Sequence, residues 1–140
     1  MLKTLLAIIV GISAGFVTVI AGDYLIHFIQ PPPTDLTPGD STAFAAYIDS
    51  IPFFVLFLLQ LVWLASAFIG GFAASAIDKA NWQRSTMISG LLLLAAAGIN
   101  MTMIEHPLWM WIVSITFYPP LAWVGGGLAQ KFTTEGDFFQ

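Results

Sequence analysis

Long apolar runs separated by short polar segments set the pattern of this chain. Ile51 to Ile77 carries no charged residue. At about 1.5 Å per residue, a helical run of this kind crosses a hydrocarbon core roughly 30 Å thick. Ala65-Ser66-Ala67, Gly70-Gly71 and Ala73-Ala74-Ser75-Ala76 crowd its second half. In water such a run reads as a weak helix. In lipid it reads as a surface that neighbouring helices approach closely. The pattern predicts that this span is the central post of a small membrane bundle. Counting 100° per residue, Gln60, Ala67 and Gly71 fall within about 20° of one line, so Gln60 is expected to point into the bundle.

The other spans flank it. Thr4 to Ile29 is predicted as the first, with Gly11, Gly15, Thr18 and Gly22 forming a stripe of small residues at helical spacing. Asp23 and His27 follow near its far end, four apart and on one face. Pro31-Pro32-Pro33 ends the helix. Asp40 or Ser41 then offers an N-cap. Phe44, Tyr47, Ile48 and Ile51 recur with helical period, predicting a short amphipathic helix on the membrane surface. A third span is expected over Ser85 to Met103, with Ser85, Ser89, Ala96, Asn100 and Met103 on one face. Ile104-Glu105-His106-Pro107 makes a turn. The fourth span runs from Leu108 to Gln130, and the tail from Phe132 is expected to fray. Pro119-Pro120 interrupts its middle, leaving the carbonyls of Ile115 and Thr116 without helical donors, so a kink is expected. Gly125-Gly126-Gly127 permits close packing near its end. The fold class is therefore all-α: a four-transmembrane-helix bundle, one integral membrane domain over residues 1–140, with spans at about 4–29, 51–77, 85–103 and 108–130.

Composition agrees. Hydrophobic residues make up 58% of the chain and charged residues 9%, against about 25% charged in soluble domains. The absence of cysteine excludes disulfide and thiolate chemistry. Four Lys and Arg residues, in no patch, argue against nucleic-acid binding. The start Met1-Leu2-Lys3 resembles a leader, but the apolar run is long for a cleaved segment, so a retained first span is expected. With four spans, Lys3, Lys79, Arg84 and Lys131 fall on one side and Asp35, Asp40, Asp49 and Glu105 on the other. The excess of Lys and Arg then predicts both termini in the cytoplasm. Part of span 2 and part of span 4 echo one another, Leu61-Val62-Trp63 before Gly70-Gly71 and Leu121-Ala122-Trp123 before Gly125-Gly126, but the spacings differ.

His27 with Pro31-Pro32-Pro33, then Ala45-Ala46-Tyr47, Gly70-Gly71-Phe72, Asn100, His106-Pro107-Leu108-Trp109 and Pro120-Leu121-Ala122-Trp123-Val124-Gly125-Gly126 resemble a set of small bacterial four-span inner-membrane proteins. The resemblance covers nearly the whole chain and implies a multi-pass protein of the bacterial inner membrane. It brings no activity and no ligand. The chain does not resemble four-span multidrug exporters, which carry an acidic residue in the middle of the first span.

The candidate chemistry is a set of polar residues in or beside the spans: Asp23, His27, Gln60, Asn100, Glu105 and His106. Such groups are costly in lipid unless satisfied, so a cluster of them is a candidate site. One reading is an outward-facing polar pocket for an ion, a lipid headgroup or a small molecule. A second is a zinc shell of Asp23, His27, Glu105 and His106, which suits the ligand types but which no spacing demands. A third is purely structural, with Gln60 and Asn100 bonded to each other. Gly11, Gly15, Gly22, Ala67, Gly70, Gly71, Gly125 and Gly126 are expected to serve helix packing, and the tryptophans to act as interface anchors. No catalytic set and no cofactor is expected. The leading reading is a non-enzymatic structural or accessory protein among membrane lipids, in a homo-oligomer or larger complex. The alternative is a small transporter or channel.

Overall fold

The computed structural model describes residues 1–34 and 40–136. Asp35 therefore lies outside the described residues, as do the side chain of Phe44 and residues 137–140 of the expected tail. The described chain is helical: α1 (Leu2–Ile29), α2 (Ser41–Ser50), α3 (Phe53–Ile77), α4 (Trp82–Met103) and α5 (Leu108–Gly136). All but α2 are long and apolar enough to cross a membrane. The boundaries follow local chemistry. Asp40 caps α2, its Oδ1 accepting from the amides of Thr42 at 3.1 Å and Ala43 at 3.0 Å. Pro52 stands as the N-cap of α3, where its missing N–H costs nothing. One expectation is corrected: helix α5 does not fray after Lys131 but continues to Gly136, with Pro119 and Pro120 inside it.

Helix α3 is the centre: α1, α4 and α5 all pack on it, while α1 and α5 scarcely meet. Among its buried residues, Leu56, Gln60, Trp63, Ala67, Gly70 and Ala74 follow one another in steps of four and three, the spacing of a helix-packing seam. The face expected on α4 is only half right. Ser85 and Ser89 are buried, but Asn100 and Met103 are exposed, and burial instead follows Ser85, Ser89, Leu93, Ala97 and Met101. Those residues form one ridge of every fourth position, inclined about 26° to the axis. A face drawn parallel to the axis leaves such a ridge within a few turns.

Backbone-to-backbone contacts seal one half of the bundle. A Cβ on Gly11 would lie 2.7 Å from the carbonyl oxygen of Gly70, and one on Gly70 would lie 2.8 Å from that of Gly11. Gly71 meets the backbone of Ala122, and Gly125 that of Phe68, more closely still. Hydroxyls bridge the helices in the same half: Ser75 donates to the Gly126 carbonyl at 2.7 Å and Thr86 to that of Gly71 at 3.2 Å.

At the end of this half Thr4 donates to Asp78 at 2.6 Å, and Gln130 donates to the Ser75 hydroxyl at 2.8 Å. The start of α1 is thus tied to the α3–α4 turn and α5 to the end of α3, and Lys3, Lys79, Arg84 and Lys131 share this end. Asp40, Asp49 and Glu105 belong to the opposite end. The outer sides of the helices are apolar, with Val17, Ile20, Leu25 and Phe28 among the exposed residues of α1, as lipid contact requires and water would penalise.

Candidate functional site

The other half of the bundle is not closed. A cavity of about 560 Å³ opens between α1, α3 and α4, beneath α2 and the α4–α5 turn. From α1 it takes Phe16, Val19, Asp23, Ile26, His27 and Gln30, steps of three and four that keep to one face. These residues span about 20 Å of helix. From α4 come Leu93, Ala96, Ala97 and Asn100, and from α3 Val55, Leu56, Leu59, Trp63 and Ser66. Leu93 forms the floor: its methyls pack where a Cβ on Gly15 or Gly70 would stand, at 2.6 and 2.7 Å. The small residues of α1 let α3 and α4 close below this level, and above it the larger wall side chains stand apart.

The last turn of α2 borders this space. Ile48 is buried, Tyr47 and Ile51 line the cavity beside it, and the Tyr47 hydroxyl donates to the Gln30 carbonyl at 3.3 Å. Burial raises the Tyr47 phenol above its ordinary value of 10.0, so it remains a neutral donor.

The expected residues separate into two groups. Asp23, His27, Asn100 and His106 come together as cavity-lining residues, while Gln60 and Glu105 do not line it. Gln60 does point inward, at 2% exposure, but its amide donates to Ser114 on α5 at 3.1 Å, not to Asn100. The α3 residues that line the cavity centre roughly 90° around the helix from Gln60, so the seam toward α5 claims it. Glu105 is exposed in its turn. The zinc reading fails on geometry: among the described residues no three His, Asp or Glu side chains converge on a point that holds a metal ion.

His106 is held by its own turn. Its Nδ1 lies 2.6 Å from the Ile104 carbonyl oxygen, which can only accept, so Nδ1 carries the proton and Nε2 keeps its lone pair. Burial pushes its pKa below the ordinary 6.5, against the opposing effect of that hydrogen bond. The imidazole is therefore neutral at pH 7. Its ring lies 5.4 Å from that of Trp63.

Trp63, Ser66 and Tyr118 also line the cavity and were not singled out in the sequence. Trp63 corrects the expectation that the tryptophans are interface anchors, since it is 5% exposed in the core. The signal was its position: Trp63 and Tyr118 each lie well inside a span, where a ring with a polar handle needs a partner. Trp109 packs on Phe53 near one end of the bundle and Trp82 on Trp123 toward the other.

Two polar atoms of the cavity wall lack a partner. Asp23 Oδ1 and Trp63 Nε1 are both buried without a hydrogen bond from any described protein group. One is an acceptor and the other a donor, and an unsatisfied buried polar group costs about 1–3 kcal/mol. The Gln60 Oε1 atom is a third orphan, enclosed in the α3–α5 seam away from the cavity. The remaining lining is mostly apolar. A volume of this size falls within the roughly 300–1,000 Å³ of pockets that hold one small organic molecule with a few fixed polar contacts.

No known family model matches the chain, and neither a curated protein nor a solved structure does.

Proposed function

We propose that this is a non-enzymatic accessory protein of a bacterial inner membrane that holds one small amphiphile in the outer half of its bundle. The observation that carries the reading is the asymmetry of the fold. One half is sealed by glycine-to-backbone contacts, and the other encloses a 560 Å³ cavity with unpartnered polar atoms in its wall. The basic residues share the sealed end, so the excess of Lys and Arg supports placing that end and both termini in the cytoplasm. The cavity then faces the outer leaflet, from which an apolar molecule enters without crossing the bilayer.

Transport is the competing reading, and the outward position of the cavity favours it. The floor speaks against it, because Leu93 sits in close contact with Gly15 and Gly70 and the packed half beneath offers no continuation. In proteoliposomes, leak of small solutes is expected to be the same for wild type, Asp23→Asn and Gln60→Leu. A leak that falls in Asp23→Asn supports transport instead.

The holding function is tested directly with radiolabelled dodecanol and purified protein in neutral maltoside micelles, with protein-free micelles as the blank. Saturable binding of one molecule per chain is expected. Ala96→Trp, which fills the cavity from the α4 wall, should reduce it at least tenfold. Absence of saturable binding in the wild type overturns the proposal.

A further inference from the structure

The geometry points to a cationic amine amphiphile as the occupant of the outer cavity, with Asp23 as the counter-ion of its head group. This rests on the holding function proposed above and adds the chemical class. Among the described residues, Asp23 is the one carboxylate that lines the cavity, and no Lys or Arg side chain lines it there. An anionic head would meet like charge there, with only His27 at the rim to offset it, in surroundings where charge interactions are strong. A neutral head offers the carboxylate no cation beyond that imidazole. An ammonium group brings the N–H donor that Asp23 Oδ1 lacks among its protein neighbours, and charge-assisted bonds of this kind are short and strong.

The rest of the wall fits the same head. Trp63, Tyr47 and Tyr118 line the space with aromatic rings, groups whose faces attract cations through the ring quadrupole. The Trp63 N–H, buried without an acceptor, is satisfied by a hydroxyl or ester oxygen near the amine. The neutral His106 ring beside Trp63 adds no positive charge to repel it. The apolar lining from Val19 and Ile26 to Leu56 and Leu59 takes up the alkyl chain.

His27 is the other ionisable group on the α1 wall, one turn from Asp23. It is exposed at the rim, whereas Asp23 is half-buried deeper in the wall. The head group therefore reaches the carboxylate past the imidazole, and the buried oxygen remains for the ligand.

The test compares three probes with the same chain: dodecylamine, dodecanol and dodecyl sulfate. Binding to purified protein in neutral maltoside micelles at pH 7 is followed by equilibrium dialysis of radiolabelled dodecylamine, with the other two as unlabelled competitors. Dodecylamine is expected to bind at least tenfold more tightly than dodecanol, and dodecyl sulfate to compete weakly. Asp23→Asn should erase the preference for the amine, bringing dodecylamine binding down to that of dodecanol in the same variant. Asp23→Glu, which keeps the charge, should retain part of it and separates loss of charge from loss of fold. Equal binding of amine and alcohol by the wild type overturns the inference and leaves the holding function standing. Failure of all three probes to bind removes both.

Discussion

Asp78 shows how one carboxylate can bind two ends of a chain together. It is buried at the α3–α4 turn, where Thr4 donates to Oδ2 and the Asn81 amide to Oδ1. The Thr4 hydrogen bond is the main reason that its pKa lies below the ordinary 3.8; the Asn81 bonds and Lys3 add to this, and burial opposes it. A carboxylate with a depressed folded pKa contributes stability that is fully present above its unfolded value and is lost as pH falls through the folded one. The bundle should therefore keep its stability from pH 7 to about pH 5 and lose part of it below 3.8. Asp78→Asn should flatten that acid fall, as seen in thermal unfolding in micelles across pH 3–7. An unchanged profile in the variant would show that the Thr4 bond carries no net stability. Gln60 and Asp23 present the contrasting case. Both were legible in the sequence as polar groups needing partners, but Gln60 met Ser114 on the neighbouring helix while Asp23 Oδ1 met no described hydrogen-bond donor.

Among the elements, α3 and α5 depend most on small residues. A side chain on Gly71 has no room, because the Ala122 backbone occupies the place of its Cβ, whereas one on Gly127 meets only the Trp82 ring edge at 3.9 Å. Gly71→Ala should thus cost about 1–3 kcal/mol through forced separation of the two backbones. Gly127→Ala should be neutral or stabilising, since alanine is the better helix former. Unfolding by dodecyl sulfate in mixed micelles measures both. Equal costs would mean that the α3–α5 contact is looser than the packing indicates. The glycine pairs were readable as packing residues from spacing alone. The ridge on α4 was not, because helical arithmetic fixes which residues share a face but not the angle at which the neighbour crosses it.

The molecule as a whole has two unlike ends. The basic end is tied by Thr4–Asp78 and Ser75–Gln130, and the opposite end is roofed by α2 over the cavity. Orientation is testable because the chain has no cysteine. In intact spheroplasts a membrane-impermeant maleimide should label Asp49→Cys and not Gln83→Cys, both at exposed positions. Permeabilisation should expose the second. Labelling of Gln83→Cys in intact cells would reverse the orientation and turn the cavity toward the cytoplasm.

Number and order of the spans, the proline stop after α1, a cap at Asp40 or Ser41 and the segregation of basic residues were all determined by the sequence itself. Each is a property of a contiguous segment, decided by local hydrophobicity, backbone geometry or charge. The cavity was decided only by tertiary structure. Asp23 and Asn100 were visible in advance, but Trp63, Ser66 and Tyr118 join them only because α3 and α5 cross at particular heights. Gln60, a strong candidate by spacing, was taken by Ser114 in the neighbouring seam. Periodicity gives the direction of a side chain about its own axis; the space in front of it belongs to another helix.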